Sequence, residues 1–237
     1  MSAIQPMNDN EFALWRDYLE KMCGIHIAAH KAYLFTGKLM NLLKDNACKT
    51  FSELLMKVKA DKTGKLETQI IEFMTTNETL WFRDGKPFSI MQDVIFKEFA
   101  DNIRQGKKDK IKIWCAASSY GQEPYSIAIL FQEMKSKGLF NFPDKVEIIA
   151  TDISETVLYH ATQGKYDVIS MSRGMPPDLK AKYFDGDGKY WTLKENIRKM
   201  IKFQKLNLKN PFSNLGNQDL ILCRNVCIYF SEELKKT

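Results

Sequence analysis

Long hydrophobic segments are absent from this sequence. No run of about 18 consecutive apolar residues occurs in the 237-residue chain, and a membrane-spanning helix needs at least that length. The first residues also lack the basic stretch and apolar core that together mark a secretory signal peptide. We therefore expect a cytoplasmic protein that does not insert into a membrane.

Cysteine and histidine are scarce. The five cysteines are an odd number, and Cys115, Cys223 and Cys227 lie in apolar segments, which predicts buried, reduced thiols rather than a disulfide framework. There are only three histidines. Neither the pair His26 and His30 nor the pair Cys223 and Cys227 is joined by the further ligands of a four-coordinate site, so we expect no metal.

Positive charge is unevenly distributed along the chain. The formal net charge is +6, and residues 28–65 alone contain eight lysines against three acidic residues. Such a surface can steer an acidic partner toward the protein, or it can simply keep the protein soluble. The hydrophobic fraction of 44% is typical of a globular protein.

The first third of the chain has the apolar spacing of helices. Apolar residues recur at intervals of three and four, and Gly24 interrupts the first series. Thr50 and Glu53 have the spacing of a capping box, which predicts a helix over residues 51–58. We predict an all-helical domain over residues 1–75 and a second domain over residues 76–237.

Strands and helices alternate from residue 111 onward. We predict strands at residues 111–116, 145–151, 203–207 and 219–223, with helices at residues 122–137 and 154–163. Residues 165–202 break the alternation and are interpreted as an inserted small β-subdomain. This order predicts an α/β fold of the Rossmann-like type, preceded by the helical domain.

The segment from Ile111 to Ile129 is the most informative part of the chain. An apolar strand leads into small residues, then Gly121 and Glu123, and then an amphipathic helix, while the next strand ends at Asp152. Nucleotide-binding α/β folds place a ligand loop after the first strand, and an acid after the second can accept ribose hydroxyls. These features predict a nucleoside cofactor, although Asp152 could instead serve only to start the following helix, whose N-cap could be Ser154 or Asp152.

Four blocks occur in a fixed order along the chain. Residues 76–83 read TNETLWFR, residues 114–128 contain the loop between the first strand and its helix, residues 150–153 read ATDI, and residues 222–230 read LCRNVCIYF. In this order they resemble the T-N-x-T-x-F-F-R segment, the glycine loop, the A-T-D-I segment and the C-R-N-V-x-I-Y-F segment of the chemotaxis receptor glutamate O-methyltransferases, the CheR-type enzymes that use S-adenosylmethionine.

The resemblance implies an enzyme that moves a methyl group from S-adenosylmethionine to glutamate carboxylates of chemotaxis receptors and leaves S-adenosylhomocysteine. The implied partner is the cytoplasmic helical domain of methyl-accepting receptors, held by the lysine-rich N-terminal domain. We expect a monomer that does not act on nucleic acid.

The resemblance also implies the site residues. Arg83, near the transferring methyl group, and Tyr229, near the acceptor, are the two catalytic candidates. The cofactor-binding candidates are Asn77, Thr79, Arg83, Glu123, Asp152, Asn207, Leu208, Asn225 and Val226. Each also has a structural interpretation: Arg83 could form an ion pair, Asn77 and Thr79 could stabilise a turn, and Tyr229 could be a core aromatic.

The sequence departs from the family pattern in three places. In the loop, a glycine, a cysteine and a glutamate of the family are replaced by Ala117, Ser118 and Gln122. Family members continue beyond the last block, so the resemblance implies a truncated chain or a sheet that is short at one edge. The turn at residues 185–190 lacks the extra glycine-containing loop of members that dock a receptor-tail pentapeptide, so we expect no dependence on such a tail.

Other functions remain open from the sequence. The chain could be a non-catalytic adenosyl-binding adaptor of the same fold. It could be a nucleic-acid methyltransferase, since residues 210–212 resemble part of an N-P-P-F motif. A serine hydrolase with Ser119 at its strand-to-helix turn is disfavoured, because His160, the only later histidine, does not fit the order of a triad.

Overall fold

The computed structural model describes residues 6–236, except for the side chains of residues 34 and 35. The described residues form two compact units. The first contains residues 6–76, 207–210 and 225–236, and the second contains residues 77–206 and 211–224. Within residues 6–236, no helix is both long and apolar enough to span a bilayer.

The first unit is built on helices. These are α1 (Asp9–Cys23), α2 (Ala32–Asp45), α3 (Phe51–Ala60) and α4 (Lys65–Met74). Their apolar faces form a core that includes the fully buried side chains of Trp15, Leu19, Leu39 and Phe51. The Trp15 indole N–H donates a hydrogen bond to the Phe51 carbonyl at 3.0 Å, so the largest core residue has its polar atom satisfied.

Side-chain caps fix where α1 and α3 begin. Asn8 and Glu11 form a capping box at the start of α1, with N–H to oxygen distances of 2.9 and 3.1 Å. Thr50 caps α3 as expected, accepting the Glu53 N–H at 3.1 Å. The reciprocal half of the expected box differs, since the Glu53 carboxylate accepts the N–H of Lys49 instead of Thr50.

The second unit contains a parallel sheet with helices. In chain order its elements are α5 (Lys86–Ile90), a π-helical turn (Met91–Ile95), α6 (Phe96–Arg104), β1 (Ile111–Ala116), α7 (Gln122–Ser136), β2 (Val146–Asp152), α8 (Glu155–Gln163), β3 (Lys165–Asp167), α9 (Val168–Ser172), α10 (Pro177–Tyr183), β4 (Phe184–Gly186), β5 (Tyr190–Leu193), α11 (Glu195–Arg198), β6 (Ile201–Lys205) and β7 (Leu220–Cys223).

The main sheet has the strand order β6-β2-β1-β7, and its three pairings are all parallel. Ile113 of β1 pairs with Ile148 of β2 and with Leu220 of β7, so apolar residues align across the sheet. A separate antiparallel sheet, β3-β5-β4, lies between α8 and β6 in the chain. The expected Rossmann-like α/β fold, with a helical domain and a small inserted sheet, is confirmed.

Two expectations need correction. Strand β6 begins at Ile201, which pairs with Ile148, and ends at Lys205, so Asn207 lies beyond the strand. Cys115 is buried, but Cys223 and Cys227 are exposed. The prediction that Cys223 and Cys227 are buried was wrong. Cys223 ends β7, which is the last strand at its edge of the sheet, and Cys227 lies in a 3-10 turn that follows β7 in the chain.

Gly24 and Gly37 offer a matched pair of tests. Gly24 ends α1 with a left-handed φ of 76°, and a Cβ there would lie 2.3 Å from the Leu234 side chain. Gly37 lies inside α2, and a Cβ there would meet no neighbouring group of the described residues within 4 Å. We expect Gly24→Ala to lower the free energy of unfolding by about 1–2 kcal/mol and Gly37→Ala to raise it by about 0.5–1 kcal/mol.

Urea unfolding followed by circular dichroism measures both changes. Equal effects of the two substitutions would contradict the backbone conformations described for Gly24 and Gly37.

Candidate active site

Two predicted site residues of the second unit, Glu123 and Asp152, lie at or beyond the carboxyl ends of the neighbouring strands β1 and β2. From β1 the chain passes to β2 and then to β6, and both strands lie on one side of β1 within the sheet. It then returns to β7, which lies on the opposite side of β1. The carboxyl ends of β1 and β7 therefore flank a topological switch point. Open α/β sheets form their ligand crevices at such points.

Asp152 is the last residue of β2 and its side chain is only slightly accessible. One carboxylate oxygen accepts the N–H of Ser119 at 2.9 Å, and the other accepts the N–H of Ser154 at 3.0 Å. The carboxylate thus joins the loop after β1 to the turn after β2. Ser154, not Asp152, caps α8, because the Ser154 hydroxyl accepts the Val157 N–H at 3.2 Å. The capping interpretation of Asp152 was wrong.

Backbone strain is concentrated in the segments that resemble the family blocks. Among the described residues, six non-glycine residues have a positive φ. One, Ala47, lies just after the end of α2, and the other five lie in or beside the family-like blocks: Phe82, Asp84, Ala117, Ser119 and Asn225. Such conformations cost free energy and persist where the surroundings hold them, which happens most often at functional sites.

The loop after β1 is held by specific contacts. Ala117 adopts a φ of 52°, so it takes the left-handed conformation that a glycine would take more readily. The Ser119 hydroxyl donates a hydrogen bond to the Asn77 carbonyl at 2.7 Å. This contact fixes the loop against the segment that carries Asn77, Thr79 and Arg83. It is not the arrangement of a serine nucleophile activated by a histidine.

A buried tryptophan anchors the same segment. Trp81 is fully buried, and its ring packs edge-on against Tyr166 and Phe184. Its backbone N–H donates to the Arg173 carbonyl at 3.0 Å. Trp81 is therefore a core residue. The core contact fixes the middle of the segment and leaves Arg83, two residues later, only half-buried.

Arg224, the residue directly after β7, connects three parts of the site. Its guanidinium donates to the Glu123 carboxylate at 2.7 Å, to the Asp84 carboxylate at 2.7 Å and to the Arg83 carbonyl at 2.9 Å. It also lies over the Phe88 ring, 5.7 Å from the centroid. Sequence reasoning assigned no role to Arg224, although its position after a strand at the predicted edge was a usable signal.

The Glu123 carboxyl is strongly desolvated. Burial raises the pKa of Glu123, and the positive charges of Arg224 and Arg83 act in the opposite direction without cancelling the rise. The side chains of Glu123 and Arg224 are 13% and 19% exposed. The ion pair therefore offsets only part of the cost of removing this carboxylate from water.

Two buried polar atoms, one in the loop after β1 and one at the start of α7, test whether a polar ligand fits. The Ser118 hydroxyl oxygen and the Gln122 side-chain carbonyl oxygen have no hydrogen-bond partner among the described residues. A buried polar group without a partner costs about 1–3 kcal/mol. A ligand that carries hydroxyl and amino groups would satisfy them, so the residues present fit an adenosyl cofactor.

The remaining predicted site residues belong to the first unit: Asn207, Leu208, Asn225, Val226 and Tyr229. The Asn207 amide donates to the Met22 carbonyl at 2.9 Å and accepts the Lys209 N–H at 3.1 Å. The Asn207 side chain is thus engaged by protein groups. Tyr229 is exposed, so the core-aromatic interpretation was wrong. The cofactor and acceptor roles of these residues stay predictions.

Two family models together match almost the whole chain. Residues 10–75 match the CheR methyltransferase all-alpha domain, and residues 77–237 match the CheR methyltransferase SAM binding domain. The chain belongs to the CheR methyltransferase family. It is therefore an S-adenosylmethionine-dependent methyltransferase of the chemotaxis type, and the serine hydrolase alternative is wrong.

Several relatives of this CheR methyltransferase cover most of its length. Chemotaxis protein methyltransferase Cher2 of Pseudomonas putida is 38% identical over 228 residues, which are 95% of this chain and 82% of the relative. A chemotaxis protein methyltransferase of Vibrio parahaemolyticus is 39% identical over 237 residues, which are 99% of this chain and 83% of the relative. A chemotaxis protein methyltransferase of Borreliella burgdorferi is 37% identical over 218 residues, which are 90% of this chain and 75% of the relative.

The Arg224 ion pair predicts a pH-dependent loss of stability. We expect Arg224→Met to lower the free energy of unfolding by about 2–3 kcal/mol at a pH of about 8, because a buried carboxylate is left without its partner. The folded-state pKa of Glu123 is already raised and would rise further. The folded protein then takes up a proton at a higher pH than the unfolded chain, so the loss should shrink as the pH falls to about 5.

Urea unfolding at both pH values measures this effect. Arg104→Met removes an exposed Arg–Asp pair and serves as the control, with an expected change below about 0.5 kcal/mol. Glu123→Gln combined with Arg224→Met should recover part of the loss at the higher pH. A loss that is independent of pH would contradict the assignment.

Proposed function

We propose that this CheR methyltransferase transfers the methyl group of S-adenosylmethionine to glutamate side-chain carboxylates of chemotaxis receptors. The products are glutamate methyl esters and S-adenosylhomocysteine. The observation that carries the proposal is the Asp152 carboxylate, held at the end of β2 beside a loop with buried polar atoms that lack partners among the described residues. Membership of the CheR family supports the same reaction.

Residues of the second unit are chemically suited to hold the cofactor. The Asp152 carboxylate would accept hydrogen bonds from the ribose hydroxyls. Glu123, negatively charged at the start of α7, would attract the amino group, and Arg83 would attract the carboxylate of the methionine part. When bound, S-adenosylmethionine supplies an electrophilic methyl group on a sulfonium sulfur. Asn77 and Thr79 lie on the same segment as Arg83 and complete this proposed set.

The acceptor needs no general base. A glutamate carboxyl has an ordinary pKa of about 4.3 and is ionised at neutral pH, so it is already a nucleophile. This agrees with a set of candidate site residues that contains no histidine. The task of the protein is alignment, which can lower a barrier by roughly 7–11 kcal/mol. Arg83 could orient a carboxylate through two parallel hydrogen bonds, and Tyr229 would stand near the acceptor.

The first unit has the charge expected for binding an acidic receptor surface. All eight lysines between residues 28 and 65 are exposed. They lie mainly on α2 and α3 and around the turns that flank these helices. Such a basic surface raises the rate of encounter with an acidic partner. We propose the cytoplasmic helical domain of the receptor as that partner, and independence from a receptor-tail pentapeptide stays a prediction.

Replacing Arg83 tests the catalytic part of the proposal. We expect Arg83→Ala to lower the rate of methyl incorporation into receptor by about two orders of magnitude, because alignment of a carboxylate is lost. The measurement is transfer of labelled methyl from S-adenosylmethionine into base-labile ester. Arg104→Ala, at an exposed arginine of α6, is the control. A rate close to that of the unchanged protein would remove Arg83 from the site.

Replacing Asp152 tests the cofactor-binding part. Asp152→Asn keeps an acceptor oxygen for a backbone N–H but loses the charge, so we expect the affinity for S-adenosylhomocysteine to fall about 10- to 100-fold. Isothermal titration calorimetry measures the affinity, with Asp144→Asn at an exposed position as the control. Unchanged affinity would exclude Asp152 from the pocket. Binding by the unchanged protein without any methyl transfer would favour the non-catalytic adaptor.

A further inference from the structure

Arg83 lies in a turn whose backbone is strained. The residues on either side of it, Phe82 and Asp84, have φ values of 47° and 69°, although neither is a glycine. The Gly85 N–H donates a hydrogen bond to the Phe82 carbonyl at 2.9 Å and closes the turn. Residues with a side chain rarely adopt such conformations, which persist only where surrounding groups hold them. The contacts of this turn therefore decide where the Arg83 backbone lies.

Ser126 provides a contact on the N-terminal side of Arg83. Its side chain is fully buried within α7. The Phe82 N–H donates to the Ser126 hydroxyl at 3.1 Å, and this hydroxyl donates to the Gln122 carbonyl, one helical turn earlier, at 2.6 Å. A serine hydroxyl has one proton and two lone pairs, so it makes both bonds at once. The hydroxyl thus ties the strained turn to the first turn of α7.

Arg224 provides a contact on the C-terminal side of Arg83. Its guanidinium donates to the Arg83 carbonyl at 2.9 Å and to the Asp84 carboxylate at 2.7 Å. Ser126 and Arg224 therefore hold the chain just before and just after Arg83. The Arg83 guanidinium itself makes a long hydrogen bond, 3.3 Å from Nη1 to the Glu78 carbonyl oxygen. A negatively charged ligand would form a stronger bond with this guanidinium and replace that contact.

The first turn of α7 carries signs of a ligand that do not come from the resemblance. The Gln122 side-chain carbonyl oxygen is buried and has no hydrogen-bond partner among the described residues. The next residue, Glu123, has a desolvated carboxyl whose pKa is raised by burial. Ser126 therefore connects the turn of Arg83 to a place where the fold keeps polar groups unsatisfied. All the residues of this connection belong to the second unit.

We infer that Ser126 is a positioning residue for cofactor binding. The methionine part of S-adenosylmethionine carries an ammonium group and a carboxylate on one carbon atom, so the groups that bind them must lie at a fixed separation. Ser126 sets this separation, because it joins the turn of Arg83 to the helical turn of Glu123. This role rests on the proposed function, in which Arg83 attracts the carboxylate and Glu123 the ammonium group. Ser126 acts through these two residues.

A double-mutant cycle in the whole chain tests this role. Ser126→Ala removes the hydroxyl without adding volume and takes one acceptor from the Phe82 N–H. We expect it to raise the Kd for S-adenosylhomocysteine about tenfold in the otherwise unchanged protein, but less than about twofold in a protein that carries Arg83→Ala, because residues that act through one another have non-additive effects. Isothermal titration calorimetry measures the four Kd values. Ser136→Ala removes an exposed hydroxyl from the same helix and should leave the Kd unchanged.

Two results would overturn the inference. One is an unchanged Kd in Ser126→Ala. The other is an equal rise in Kd with and without Arg83→Ala, since a general loosening of α7 would weaken binding in both backgrounds alike. If Ser126→Ala does not fold, Ser126→Cys, which keeps the size of the side chain and weakens both hydrogen bonds, is carried through the same cycle and judged by the same criteria.

The same four proteins distinguish the role of Ser126 from the proposed function. Failure of the unchanged protein to bind S-adenosylhomocysteine would refute the proposed function itself. Normal binding by Arg83→Ala alone would refute the role assigned to Arg83, and with it the inference. Normal binding by Ser126→Ala, together with weakened binding by Arg83→Ala, would refute only the role of Ser126.

Discussion

The Asp152 carboxylate accepts hydrogen bonds from backbone N–H groups of two different loops. A carboxylate removed from water needs hydrogen-bond donors, and the two loops adopt the backbone conformations that supply them. Ser119 reaches Asp152 with a φ of 50°, and Ala117 turns the chain with a φ of 52°. The strained loop, the end of β2 and the segment that contains Asn77 are thereby joined into one structure.

The charged groups near β7 complete this structure on the other side of β1. Arg224 binds Glu123 and Asp84, so the three segments that resemble the CheR family around residues 83, 123 and 224 are held together by one guanidinium. The raised pKa of Glu123 reflects a carboxylate that the fold keeps buried at a cost. Polar groups held at such a cost are typical of sites that bind a ligand.

The architecture was predictable from the sequence because the strands of a parallel sheet are nearly continuous apolar runs, as in Ile111–Ala116, where only Lys112 is polar. The position of Asp152 was predictable too, because the apolar run of β2 stops at this acid. No sequence pattern could show that Asn207 directs its side chain toward Met22, or that Arg224 binds Glu123, because those partners are 185 and 101 residues away in the chain. The exposure of Cys223 was missed because a strand at the edge of a sheet has the same sequence pattern as a central one.

The central claim is that the loop after β1 and the carboxylate at the end of β2 bind the adenosyl part of S-adenosylmethionine. A crystal structure of the protein with S-adenosylhomocysteine tests it most directly. We predict that the ribose hydroxyls donate hydrogen bonds to Asp152 and that the ligand provides partners for the buried oxygens of Ser118 and Gln122. A ligand bound elsewhere, with no atom of it within hydrogen-bond distance of Asp152, would contradict the claim.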